Sequence, residues 1–313
     1  MNIQVGQVVS IERVFTQKDF DRFAALSGDD NPIHVDAEFA ARTAFGKTVA
    51  HGMLLYGAVC GVLGTRLSGL GTVQLEQELM FPNPTYVGEQ VVIRLEITEL
   101  GPVAGLADLS TVVTKPGGEV GLQGRTLVRL PGDPAAGSGD PFGAKRRTSE
   151  FRSSRIVRSG GPTAGSGDPS GAKKTAFKGM EIGQQAKTQR TFTRQNLVEY
   201  ASLTGDTNPV FTDPEYAARM GFAGVIVPGS LLGGLFSYLL GTRLPGRGTN
   251  YLKQRLVFPA PAYPGEELTA KVEIIRLRPE KNLVNLRTVC TNSAGEVVCE
   301  GEALVLVRDV QKR

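Results

Sequence analysis

The sequence predicts an α+β protein made of two tandem copies of one fold. Each copy is an antiparallel sheet wrapped around a central apolar helix, and the two pair within the chain as a pseudo-dimer. Three observations carry this. The 313-residue chain matches itself without gaps at a shift of 177 residues, from about Phe15 to Leu130: FAALSGDDNP (23–32) lies over YASLTGDTNP (200–209), and LGTRLSGLGT (63–72) over LGTRLPGRGT (240–249). A shared order over that length makes each copy the same fold. Each copy also holds a helix-length run that is apolar on all sides, around Met53–Leu63 and Ser230–Leu240, and a helix with no polar face must be buried. Runs rich in Val, Leu, Ile and Thr follow it and supply the covering sheet.

The elements of copy 1 are read in order. Thr16 with Asp19 three residues later starts a short helix as a capping box, with Phe20 and Phe23 on one face. After Gly28 comes a loop, then a short helix near Ala37–Thr43. The apolar helix is expected from about Gly52 to Leu67, with Gly69 past its end. Strands are expected at 73–80, 90–100, 105–114 and 119–130. Copy 2 repeats this order.

The expected domains are 1–130, a linker over 131–178, and 179–313. The linker is rich in Gly, Ser, Pro and Ala, repeats AGSGDPFGAK as AGSGDPSGAK, and holds nine Lys or Arg against four Asp or Glu. Such a composition cannot form a core and reads as a flexible tether. The net charge is +4 in all, so the domains themselves are close to neutral. With no aromatic platform and no recognised module, a nucleic-acid partner is not expected. Three cysteines, Cys60, Cys290 and Cys299, show neither a disulfide framework nor metal spacing and point to a reducing compartment. The longest apolar runs are too short to span a bilayer. The N-terminal residues lack a signal pattern, so a cytoplasmic location without membrane attachment is expected.

Both histidines, His34 and His51, fall in copy 1, and the matching positions in copy 2 are Phe211 and Pro228. One copy therefore keeps side chains that exchange protons near neutral pH, which predicts a single working site. Asp29 and His34 lie five residues apart around Asn31 and Pro32. Pro32 is expected to forbid a regular helix there, so that the loop folds back and aims both side chains at one point. A carboxylate and an imidazole holding one water supply general acid–base catalysis.

The segment FAALSGDDNPIHVD, followed by VAHGMLLYG, LGTRLSGLGT and ELMFPNPTYVGE, resembles the MaoC-like (R)-specific enoyl-CoA hydratases, which are hot-dog proteins. The resemblance covers copy 1 nearly end to end, and copy 2 outside its two substituted positions. It implies a double hot-dog fold and (R)-specific hydration of a trans-2-enoyl thioester, reversible as dehydration. It implies Asp29 and His34 as the catalytic pair, with Asn31 supporting the loop or orienting the water. The Gly52 N–H, at a helix start where negative charge is favoured, is implied as the donor to the thioester oxygen. His51, Met53, Leu54 and Tyr56 are expected to line the substrate pocket, with simple packing the alternative for His51. Asp206 and Asn208 survive in copy 2 without a histidine, so Asp29 and Asn31 are read as fixing the loop as well.

The expected partner is an acyl-CoA thioester, with acyl carrier protein left open as the carrier. Neither a phosphate loop nor a dinucleotide fingerprint is present, and no cofactor or metal is expected. Two other readings stand beside the hydratase. An acyl-CoA thioesterase is disfavoured because no Asp or Glu lies between Met53 and Leu67 or between Ser230 and Leu244. A non-catalytic thioester-binding protein is disfavoured by the intact Asp29, Asn31 and His34. Acyl-chain length, physiological direction and association between chains stay open.

Overall fold

The computed structural model describes residues 3–101, 105–131, 177–308 and 310. The expected tether falls outside the described residues except at its ends. Phe177 and Lys178 belong with copy 2: Phe177 bridges to Met180, and the Lys178 ammonium donates to the Val307 carbonyl at 2.7 Å.

Copy 1 runs β1 (Val8–Val14), α1 (Gln17–Ser27), α2 (Pro32–Val35), α3 (Ala37–Ala41), α4 (Gly52–Val62), β2 (Val73–Met80), β3 (Gln90–Leu100), β4 (Leu106–Thr114) and β5 (Val120–Arg129). Copy 2 runs β6 (Gln185–Thr191), α5 (Arg194–Thr204), α6 (Pro209–Thr212), α7 (Pro214–Arg219), α8 (Gly229–Tyr238), β7 (Asn250–Val257), β8 (Glu267–Arg278), β9 (Leu283–Thr291) and β10 (Val297–Leu306). The capping box at Thr16 and Asp19 forms as expected, and Thr193 with Asn196 repeats it at α5.

Three features differ from the expectation. An N-terminal edge strand, β1, precedes α1 and pairs with β3. Pro32 opens the one-turn helix α2 instead of excluding it; at the first helical position its missing N–H would have had no partner anyway. The apolar helix ends at Val62 and gives way to a wider π-type turn over Leu63–Leu67, which copy 2 repeats over Leu239–Arg243.

The ten strands of the described residues form one antiparallel sheet in the order β1-β3-β4-β5-β2-β7-β10-β9-β8-β6. The copies join through β2 and β7, with Glu78 opposite Arg255, residues related by the 177-residue shift. The sheet turns alternate residues inward. Val91, Ile93, Leu95 and Ile97 of β3, like Leu268, Ala270, Val272 and Ile274 of β8, are fully buried, the period-2 pattern of a one-faced strand. Inside this cover α4 and α8 pack against each other. A helix inside a curved sheet, twice over in one continuous sheet, is the double hot-dog architecture that the sequence predicts.

Close approach between the copies depends on glycine. A Cβ on Gly61 would stand 2.8 Å from the Thr204 carbonyl oxygen, and one on Gly233 would stand 2.7 Å from Met53 Sδ. Reciprocal arginines tie the copies together. Arg13 of β1 donates to the carbonyls of Leu203 and Thr204 at the end of α5, and Arg190 of β6 donates to those of Ala25 and Leu26 at the end of α1. Both supply a cation to a helix C-terminus, where carbonyls are unpaired and the dipole is negative.

Candidate active site

The site begins at Gly28. This residue caps α1 in the left-handed conformation (φ 81°), which only glycine adopts without strain, and turns the chain inward. Ser27 accepts from the Asp29 N–H at 3.2 Å. The Asp29 carboxylate accepts from the Asn31 N–H, and Asn31 caps α2 by accepting from the Ile33 N–H. Its amide also lies against Gly241 of copy 2, where a Cβ would come within 2.8 Å of Nδ2. This loop carries Asp29 and Asn31 and sets α2, which in turn presents His34.

His34 donates from Nδ1 to the Val49 carbonyl at 2.7 Å, since a carbonyl only accepts. That bond fixes the tautomer and leaves a lone pair on Nε2. Copy 2 supplies the other restraint, Ser237 of α8, whose hydroxyl donates to Asp29 Oδ2 at 2.6 Å. Ser237 is buried and was missed in the sequence, where it reads as one small residue of an apolar helix.

Asp29, His34 and Gly52 line one cavity of about 90 Å³ together with Ser237, Leu240 and Tyr251 of copy 2. The wall is therefore composite, although the sequence places the working site in copy 1. Asn31 also lies on it. The Gly52 N–H heads α4, where first-turn amides have no acceptor within the helix. That Gly52 is glycine has a packing cause as well: a Cβ would meet the Phe81 ring at 2.7 Å, and Gly229 stands in the same relation to Phe258.

The expected pocket residues His51, Met53, Leu54 and Tyr56 are not on the cavity wall. From α4 the wall takes Gly52 and Leu55, one face of a helix at i and i+3. Met53 packs on Gly233, Leu54 lies in the core, and the Tyr56 hydroxyl donates to Gln74. His51 lies behind the wall. It is fully buried, stacks on the His34 ring with centroids 3.8 Å apart and planes 29° apart, and donates from Nε2 to the Asp29 carbonyl at 2.9 Å.

Burial governs the electrostatics. It raises the proton affinity of the Asp29 carboxyl, with the His34 ring and the Ser237 hydroxyl pulling in the opposite direction. Burial lowers the pKa of His34, against the pull of the Asp29 carboxylate. His51 is pushed well below the usual imidazole range by burial and then by His34. At neutral pH both rings are thus uncharged, and His34 offers a free base beside a carboxyl group with raised proton affinity. Ligand atoms of Asp29, His34 and His51 lie within 4.8 Å of one another. One nitrogen of each ring is already engaged with a main-chain carbonyl, His34 Nδ1 with Val49 and His51 Nε2 with Asp29.

Copy 2 keeps the loop and loses the base. Asp206 and Asn208 repeat the bonds of Asp29 and Asn31, and Phe211, Cys60 and Gly229 line a smaller cavity of about 40 Å³. Burial pushes Asp206 up to about 7.

Comparison with known proteins agrees with this anatomy. The sequence profile of the MaoC like domain matches residues 2–115 and again 177–294. An (R)-specific enoyl-CoA hydratase of Aeromonas caviae is 41% identical over 128 residues, which is 41% of this chain and 96% of that protein. One of Rhodospirillum rubrum is 43% identical over 131 residues, 42% of this chain and 90% of that protein. A solved double-hotdog protein of Mycobacterium tuberculosis superimposes with a TM-score of 0.71 at 18% identity and covers 97% of each chain; at that identity it speaks for the fold alone.

Proposed function

The chain belongs to the MaoC-like domain family, and from that premise we propose that its copy 1 site adds water to a trans-2-enoyl-CoA and returns an (R)-3-hydroxyacyl-CoA. The family relatives named above are hydro-lyases, and this chain is one too. The observation that carries the reading is the convergence on one cavity of the His34 base, the Asp29 carboxyl and the head of α4.

In the forward direction Asp29 and His34 hold a water between them. Its oxygen bonds to C3 while its proton passes to the pair. The C2–C3 π electrons move toward the thioester carbonyl, and the Gly52 N–H stabilises the enolate oxygen. C2 then takes a proton from the pair, so that one water is added across the double bond and both groups return to their starting forms. Dehydration is the same path reversed. The acyl chain meets a wall built mainly of Ile33, Phe45, Leu55, Phe81 and Leu240. Coenzyme A serves as the carrier on the substrate.

The test is loss of enoyl-thioester absorbance with crotonyl-CoA. His34→Ala is expected to lower turnover by roughly a hundredfold to ten-thousandfold, while Asp206→Asn leaves it unchanged and the product is (R)-configured. Hydrolysis of the thioester without hydration would overturn the reading.

A further inference from the structure

His51 contributes nothing to the cavity wall, and its burial is unfavourable. Its ring lies between Phe20, Phe23 and His34, and its Nδ1 has no hydrogen-bond partner among the described residues. A buried polar atom left unmet is destabilising. An apolar ring would fill the same space without that penalty.

The internal duplication separates the two explanations for keeping it. If His51 served to shape the Asp29 loop, the loop of copy 2, with Pro228 in its place, would differ. It does not. Gly28 and Gly205 adopt φ 81° and 79°, Asn31 has φ −53° and ψ 122°, and Asn208 has φ −56° and ψ 124°. Loop and helix therefore form without either imidazole. Both imidazoles are present in the copy that holds the base, and both are missing from the other.

We propose that His51 is a positioning residue for the hydration reaction, a ring stacked on His34 and bonded to the Asp29 main chain that holds base and carboxyl in one mutual geometry. The inference rests on the hydratase reading. His34 has a single hydrogen-bond anchor, Nδ1 to Val49, about which its ring plane would otherwise turn. The face of His51 fixes that plane. The Nε2 donor of the same ring reaches the Asp29 carbonyl, so a displacement of either group is resisted through one rigid body.

Two substitutions divide the two contacts: His51→Phe keeps a stacking face without the donor, and His51→Gln keeps an N–H donor without the face. Crotonyl-CoA hydration by the wild type comes first, and its absence would sink the hydratase reading itself. Given wild-type turnover, each variant is expected to lose about tenfold or more in kcat with KM within about twofold, because misplacement of reacting groups acts on the chemical step. His51→Pro, which reproduces the residue that copy 2 carries on the same loop, guards against a folding defect in the other two and is expected to lose at least as much. Retention of kcat within about twofold in the folded variants, or a loss expressed through KM, overturns the proposal.

Discussion

The Ser237–Asp29 hydrogen bond is the contact through which copy 2 reaches the reacting groups. Ser237→Ala leaves a buried carboxyl with one donor fewer, and a hydrogen bond to a charged group contributes roughly 1.5–3 kcal/mol. Turnover of crotonyl-CoA is expected to fall about tenfold to a hundredfold, with the folded structure retained as judged by circular dichroism. Its counterpart at the second site is Cys60 of copy 1, and Asp206 there relies on a long bond from the Tyr200 hydroxyl (3.4 Å). Asp206 thus sits as a carboxyl whose folded pKa is about 7 against an ordinary 3.8. A raised folded pKa stabilises the fold below the unfolded value, and that contribution disappears as pH rises toward 7. Wild type should therefore lose stability between about pH 4 and 7 through Asp206, by a few kcal/mol at roughly 1.4 kcal/mol per pKa unit. Asp206→Asn removes this slope. Thermal midpoints of the two proteins at pH 5 and pH 8 check it: the variant's advantage must grow toward pH 8, and an equal difference at both values contradicts it.

At the level of elements, helices meet the opposite loops through glycine. Gly61 of α4 faces the Thr204–Asp206 main chain, and Gly241, just past α8, faces the Asn31 amide. Main chain cannot step aside, so Gly61→Ala is expected to destabilise by about 1–3 kcal/mol, as overpacking does. Its damage falls on the copy 2 site, and hydration should persist. Gly241→Ala presses instead on Asn31 and should lower kcat more than it lowers the unfolding midpoint. Denaturant melts paired with crotonyl-CoA rates separate the two. The helix spacing, capping box and sheet strands were legible in the sequence because each is a local periodicity. The edge strand β1 was not, since its residues alternate only between exposed and half-buried. Helix α2 was missed because Pro32 reads as a breaker and functions here as a first residue. The Asp29–His34 pair was visible as a motif. The expected pocket residues Met53, Leu54 and Tyr56 were misplaced because a helix apolar on all sides gives no sign of which side faces a cavity, and Ser237 was hidden because its partner lies 208 residues away.

The whole molecule is asymmetric in a way that determines how its copies can pair. Met53 of α4 packs onto Gly233 of α8, and the residue of copy 1 that corresponds to Gly233 is Tyr56. Two copies of the first half would bring Tyr56 to the place where Met53 needs a glycine. Gly61 likewise admits the Thr204–Asp206 chain, where copy 2 carries Tyr238 in its place. Met53 faces a glycine only in the mixed pair, a shape code that rejects a self-paired first half as well as favouring the partner. The same mixed pair completes the site, since a self-paired first half would offer Cys60 in place of Ser237 and Gln74 in place of Tyr251. Residues 1–131 and 177–313 produced as separate chains should accordingly associate one to one. The first chain alone should show little crotonyl-CoA hydration, and activity should rise on titration with the second until the two are equimolar. Full activity of residues 1–131 alone would mean that the second copy contributes neither Ser237 nor the wall, and would refute the composite site.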